Sequence, residues 1–327
     1  MLEKYVARDG EWLLLDAEQL SADPEFSKRA SAGSIKECPQ AGSHPHLVRQ
    51  WLLASCLFPG KWINRLFSVG GIQWRGERIG LLAFQAVDIA KDKLYREAAG
   101  AAQLPSASVP DVLYEDDYCL VLNKPAGMPV HPSHEGQEGT LDHAACIHQL
   151  RQRDPLPVRH IHRLDDDTSG PVLYAKCDLA QLILDEAMRE KRIDREYVAA
   201  VQGKLKRAKG IVDAPIGKDR HHGARRRVTP SGDAALTRYE VKAELADASI
   251  VALRLETGRT HQIRVHMSHL GHPLLGDALY GGPQKPLKHQ ALHGERLSFP
   301  HPLSGKPTMV EAPWPKWLRD LLGDRRF

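Results

Sequence analysis

The apolar residues of this chain follow two periods, and the points where one gives way to the other outline its elements. From Leu47 the pattern is helical. Val48, Trp51, Leu52 and Ser55 share a face until Phe58-Pro59-Gly60 breaks it, and Ile63, Leu66 and Phe67 form a second face ended by Gly70-Gly71. A short strand over Ile72-Gln73-Trp74 and a turn at Arg75-Gly76 follow. Farther on, Cys119–Leu122 and Pro171–Ala175 are unbroken apolar runs of the kind that form buried strands. Leu179, Leu182, Ile183 and Ala187 return to helical spacing. Tyr197, Ala199 and Val201 alternate as in a strand, as do Val251, Leu253 and Leu255, with Arg254 and Glu256 turned outward. Gly258 then leads into a helix lined by Ile263, His266, Met267 and Leu270, with Gly271 placed to cap it.

Weaker patterns fill the gaps. Trp12–Leu15 is open between a short strand and a helix start. Leu81–Val87 suggests a strand and Asp88–Ala99 a charged helix. The Ser-, Gly- and Pro-rich stretch Ser31–Pro45 reads as a linker, and Pro105-Ser106-Ala107-Ser108 as a hinge into the main domain. No regular βαβ alternation appears. The order therefore predicts an α+β fold with a mixed, largely antiparallel sheet rather than a doubly wound one.

The length, 327 residues, suits two domains or one large one, and 42% hydrophobic and 26% charged residues are ordinary for a water-soluble protein. The start, Met1-Leu2-Glu3-Lys4-Tyr5, lacks a basic region leading into an apolar stretch. No apolar run approaches the roughly 20 residues of a membrane span. Five scattered cysteines without a Cys-x-x-Cys read as reduced thiols, so a cytoplasmic protein with no membrane partner is expected. A net charge of +4 does not by itself imply nucleic acid. Its distribution says more. Residues 1–46 carry five Lys/Arg against eight Asp/Glu, residues 47–79 carry five against one, and Lys218–Arg227 packs five basic residues around Asp219. Such local patches suit phosphate contacts, and a solvated face is the plain alternative.

The segment with the most chemistry is His162-Arg163-Leu164-Asp165-Asp166-Asp167-Thr168-Ser169-Gly170. It sets acids in a short polar turn at the edge of the apolar run 171–175, where a carboxylate is costly unless paired or put to use. This segment resembles the signature of the RluA-type RNA pseudouridine synthases. Three further blocks fit that family in order: Asn123-Lys124-Pro125-Ala126-Gly127, Tyr197 within Arg195–Ala199, and Thr257–His266, continuing to Gly271-His272-Pro273 and Gly276-Asp277. The resemblance runs over roughly residues 112–320. It implies a curved sheet crossed by a cleft, with flanking helices.

It also implies a reaction that breaks the N1–C1′ bond of a uridine, turns the base and joins C5 to C1′, with no metal, redox step or cofactor. Asp165 matches the catalytic carboxylate, Arg264 the arginine that pairs with it, and Tyr197 the tyrosine that stacks on the flipped base. Whether Asp165 attacks C1′ or removes a C2′ proton stays open. A cation within reach keeps a cleft carboxylate charged. His162, Arg163, Lys124, Arg259, Arg225, Arg226, Arg227, Lys61 and Arg65 are expected to contact RNA, with surface or structural roles as the alternative. Asp166 and Asp167 are expected to be solvated or structural.

The helix–turn–helix–hairpin of residues 47–100 is similar to an S4-like RNA-binding module, although Arg75-Gly76 stands where that module often has asparagine-glycine. A helical subdomain that merely packs on the enzyme is the alternative. The expected layout is an N-terminal extension (1–46), that small α/β module (47–100) and a catalytic domain (101–327). The partner is ribosomal or transfer RNA, ribosomal favoured, and a monomer is expected. A magnesium phosphotransferase fits poorly, because the threonine after the aspartates is one position off. A zinc site at His261, His266 and His269 lacks His-Glu-x-x-His. The rival from another class is a non-catalytic RNA-binding protein that keeps the fold, and the joint presence of Asp165, Tyr197 and Arg264 argues against it.

Overall fold

The structure, a computed structural model, describes residues 2–32, 37–104, 108–285 and 287–323. A first sheet gathers β1 (Val6–Asp9), β2 (Trp12–Leu15), β3 (Ile72–Arg75) and β4 (Arg78–Leu82) in the order β1-β2-β4-β3, all antiparallel. Helices α1 (Ala17–Ala22), α2 (Pro24–Ala32), α3 (Pro45–Ser55) and α4 (Gly60–Ser68) lie between β2 and β3 in sequence. Trp12–Leu15 is thus a strand. Leu13 and Leu15, two apart and so on one face, are buried with Trp51 and Leu52 of α3 and Trp62 and Ile63 of α4. The division expected between residues 46 and 47 runs through this sheet, because β2 pairs with β4 across it. The strand expected over Leu81–Val87 begins and ends earlier, as β4, and Phe84 beyond it packs edge-on against Tyr118 with ring centroids 5.3 Å apart. The linker and hinge expected at Ser31–Pro45 and Pro105–Ser108 lie partly outside the described residues.

The core of this first unit continues into the remainder of the chain. Tyr118, Cys119, Val121, Leu173 and Leu179 belong to the same buried cluster as Leu13 and Trp51. Arg8 reinforces the join with contacts to Asp117 at 3.0 Å and Asp154 at 2.7 Å. Helix α5 (Lys93–Ala102), capped by Asp92, lies within and just beyond the expected 88–99 helix and packs against α6 (Leu141–Arg151).

Two further sheets carry the site. One is β5 (Val112–Glu115), β6 (Cys119–Lys124), β7 (Arg159–His160) and β8 (Gly170–Ala175), ordered β5-β6-β8-β7, with α7 (Asp178–Arg189) following β8. The other draws on β9 (Asp194–Gln202), β10 (Lys209–Asp213), β13 (Leu236–Glu244), β14 (Ala248–Leu255), β15 (Leu292–Pro300) and β16 (Pro307–Glu311), ordered β10-β13-β14-β9-β15-β16. The small hairpin β11 (Ile216–Lys218) and β12 (Arg226–Val228) stands apart. Ladder pairs within every sheet are antiparallel. The two sheets that carry the site meet at a parallel bridge, Ser169 to His293, where the Gly294 N–H donates to the Ser169 carbonyl at 2.7 Å. The seam needs glycine: Gly170 has φ +128°, and a Cβ there would lie 2.4 Å from the Gly294 oxygen.

The six-stranded sheet is covered on both faces. Tyr197, Ala199 and Val201 of β9 pack with Leu122, Val172, Leu253 and Ile263, while Val198 and Ala200 pack with Trp317 and Leu318 of α9 (Lys316–Leu322). Helix α8 (Gln262–His269) lies against the first face, with Ile263 and Met267 buried. Leu270, expected on that face, is instead the C-cap and is 39% exposed.

Candidate active site

Asp165 sits on a turn between β7 and β8, closed by the Thr168 N–H donating to the Asp165 carbonyl at 2.9 Å. The segment after β6 fixes the turn. Lys124, at the end of β6, is fully buried, and its ammonium donates to the carbonyls of Asp166 (2.6 Å), Met128 (2.6 Å) and Pro125 (3.0 Å). The Gly127 N–H donates to the same Asp166 carbonyl at 3.0 Å. Burial brings the Lys124 ammonium down to about 8 against the pull of Asp166, Asp167 and Asp165. The Lys-Pro-Ala-Gly block is therefore a clamp on the Asp165 turn. With its donors occupied by carbonyls, Lys124 has none left for phosphate, which corrects the RNA contact expected of it.

Arg264 reaches the turn from α8. Its Nη1 donates to Asp165 Oδ2 at 3.0 Å, while Nε and Nη2 grip both oxygens of Asp277 at 2.7 and 3.0 Å. Burial pulls this guanidinium down, but Asp277 and Asp165 outweigh it and hold it above the ordinary arginine value. The Asp277 side chain is 1% exposed and that of Asp165 26%, so Asp277 anchors the arginine and Asp165 faces the cleft. Sequence reasoning did not single out Asp277, although Gly276-Asp277 stood in the matched blocks. Gly276 is required there, since a Cβ would lie 1.9 Å from the His289 carbonyl oxygen.

Tyr280 and His261 complete this wall. The Arg264 guanidinium lies 5.0 Å from the Tyr280 ring centre, the His261 Nδ1 is 2.9 Å from the Tyr280 hydroxyl, and its Nε2 is 3.9 Å from Asp165 Oδ2. The Arg226 backbone N–H donates to the same Tyr280 hydroxyl at 2.9 Å. Burial lowers the His261 imidazole although Asp165 pulls it up.

Tyr197 is buried beneath the turn, and it lines, with Asp165, Arg195, Ile263 and Arg264, a recess of about 80 Å³. Desolvation raises its phenol. The recess opens into a cleft of about 710 Å³ bordered by His131, Arg163, Arg195 and Arg259. A hollow of about 830 Å³ against α9 holds neither Asp165 nor Arg264 and belongs to another face.

The other expected contacts divide sharply. Arg163 and Arg259 are exposed at the cleft, tied to His131 Nε2 (3.2 Å) and the Ala234 carbonyl (3.0 Å). Arg225, Arg226 and Arg227 lie on or beside the hairpin next to it, with Arg225 5.5 Å from the Tyr280 ring centre. Lys61 is exposed on α4, and Arg65 pairs with Asp178 of α7 at 2.6 Å. His162 is buried and accepts from the Leu173 N–H at 3.3 Å. Burial pushes its imidazole down to about 3, helped by Arg195 and His160, so it is a neutral core histidine and not an RNA ligand. His266 is likewise a core residue, between Thr237 and the Ala214 carbonyl. Asp166 points its side chain to solvent while its carbonyl faces Lys124. Among the described residues no three His, Cys, Asp or Glu side chains gather as a metal-ligand set, and no helix is long and apolar enough to cross a membrane.

The α+β scaffold thus sets the Asp165 carboxylate in a cleft, against an arginine held by Asp277 and above a recess of about 80 Å³. Residues 117–269 match the family model described as RNA pseudouridylate synthase. The chain is 45% identical over 228 residues to an uncharacterized RNA pseudouridine synthase, YhcT, of Bacillus subtilis, covering 69% of this chain and 76% of that one. It is 40% identical over 235 residues to ribosomal large subunit pseudouridine synthase D of Xanthomonas campestris, covering 66% and 69%. Human RNA pseudouridylate synthase domain containing 1 superposes with a TM-score of 0.55 at 28% identity, over 67% of this chain and 89% of that one. The chain belongs to the RluA-type family of RNA pseudouridine synthases. It is an isomerase that converts uridine in RNA to pseudouridine.

Proposed function

We propose that this enzyme modifies uridines of large-subunit ribosomal RNA, with Asp165 as the reacting carboxylate, Arg264 as its partner and Tyr197 as the platform under the extruded base. The observation that carries the site assignment is the 3.0 Å contact between Arg264 and Asp165 at the mouth of the recess floored by Tyr197. A flipped uridine in that recess brings its sugar to Asp165, beside Arg264 and His261. The N1–C1′ bond breaks, the base turns, C5 bonds to C1′, and the C5 proton is lost while N1 gains one. Atoms and charge balance without a cofactor. The ribosomal target is supported by the relatives named ribosomal large subunit pseudouridine synthase D.

Arg163, Arg259 and the 225–227 arginines supply phosphate contacts around the cleft, and Lys61 and Arg65 extend them over the S4-like helices, in this reading. The test is tritium release from [5-³H]uridine transcripts of large-subunit ribosomal RNA and of transfer RNA, with pseudouridine mapping in cells with and without the gene. Release from the ribosomal transcript alone, and loss of a ribosomal site in the deleted strain, is the expected result. Release only from transfer RNA overturns the ribosomal target, and binding without release from either overturns the enzymatic reading.

A further inference from the structure

One cation at the cleft has no partner. Arg163 and Arg259 are each hydrogen-bonded, and Arg264 spends Nε, Nη1 and Nη2 on two carboxylates. Arg195 is different. Among the described residues its side chain makes no ion pair or hydrogen bond, and its Nε is buried without an acceptor. It stands two residues before Tyr197 on β9, so both side chains leave the same face of the strand. Its guanidinium lies across Gly258, where a Cβ would come within 3.0 Å of Nη2, and it lines both the cleft and the recess under Asp165. It is near enough to Tyr197 to oppose the burial that raises the phenol. A half-buried guanidinium without a counter-charge is costly, and a site that keeps one is arranged for an anion that arrives later.

We infer that Arg195 binds the uracil anion released when the N1–C1′ bond breaks. The inference rests on the reading of Asp165, Arg264 and Tyr197 given above. When that bond breaks its electron pair leaves on N1 and spreads to O2 and O4. Asp165 meanwhile either bonds to C1′ or removes the C2′ proton. The detached base is then a planar anion lying over Tyr197, and Arg195 offers it a planar set of N–H donors from the side of the recess. The cation acts chiefly in the state where negative charge has developed, as a catalytic contact should. It also holds the base while it turns. C5 then bonds to C1′ as Asp165 leaves C1′, or as it returns its proton to C2′, and the C5 proton is lost while N1 gains one. The other anion within reach of such a cation is a backbone phosphate, and the two make different predictions.

The experiment compares wild type, R195K and R195Q in single turnover on the ribosomal transcript that the wild type converts, prepared with uridine or with 5-fluorouridine. Loss of the parent nucleoside after digestion reads bond cleavage in both. Fluorine makes the base a more stable anion, so it needs less help in leaving. The expected result is that R195Q slows cleavage of uridine by about 100-fold and of 5-fluorouridine by much less. R195K should fall between, with Kd and its salt dependence unchanged. Equal slowing of both substrates, with weaker binding and a salt slope shallower by about one, assigns Arg195 to phosphate and overturns the inference. Wild-type rates in R195Q overturn it outright. Should R195Q fail to melt cooperatively, the uridine-to-fluorouridine ratio in R195K gives the same reading. A wild type that converts no RNA would instead refute the proposed function, which keeps the two failures apart.

Discussion

Replacing Asp277 with asparagine keeps the shape of the anchor and removes its charge. The Arg264 guanidinium is then left with Asp165 alone, and one of the two atoms it faced becomes an NH2 donor opposite its own N–H groups. Asp277 lies at 2.7 and 3.0 Å from the guanidinium nitrogens, with a side chain 1% exposed. At an effective dielectric of about 20, charge centres some 4 Å apart attract by about 4 kcal/mol. Breaking a buried pair from one side costs about 3–5 kcal/mol, which agrees. At roughly 2–4 °C per kcal/mol, the melting temperature should fall by on the order of 10 °C. Turnover should fall with it, because Arg264 loses the partner that aims it at Asp165. Differential scanning calorimetry and single-turnover tritium release measure the two effects. D277N that melts within 2 °C of wild type and keeps its rate would refute the anchoring argument.

D165N should behave in the opposite way, abolishing turnover while leaving RNA affinity and melting nearly unchanged, since the Asp165 side chain is 26% exposed. Turnover by folded D165N removes the assignment. K124M strips donors from the Met128 and Pro125 carbonyls and loosens the turn, so stability should drop by on the order of 3 kcal/mol. The rate should drop too, with no change in the salt slope of RNA binding. A shallower slope would return Lys124 to the phosphates. Burial depresses His162 to about 3 from an ordinary value near 6.5, so the unfolded chain binds the extra proton between those values. Stability is therefore complete above about pH 6.5 and is lost as pH falls, at up to roughly 1.4 kcal/mol per unit for this group. Melting measured from pH 7 to 5 should fall less steeply in H162N than in wild type, and parallel curves contradict the argument. Removing residues 1–104 uncovers Cys119, Val121 and Leu173, and the remainder should be insoluble or melt far lower. A soluble, active remainder would show that the shared core is dispensable.

The elements that local pattern specifies were legible in the chain. The unbroken run at 171–175, the alternation at 251–255 and the helical stripe before Gly271 depend on periods that a strand or helix imposes on its own residues. The pairing of Asp165 with Arg264 was legible through the matched blocks, and both side chains meet at 3.0 Å. What burial does to an individual side chain was not legible, because it depends on which distant segment lies over it. Lys124 and His162 read as RNA contacts from their neighbours, and the fold encloses both. Asp277 is 13 residues from Arg264 and its role appears only when the loop after α8 folds back. The same holds for β1 and β2, which looked like an extension until β4 paired with β2. Arg195 is the reverse case. It opens the matched block that contains Tyr197, yet its charge is left unanswered only in the tertiary structure, which places it beside Tyr197 with no carboxylate among the described residues to meet it.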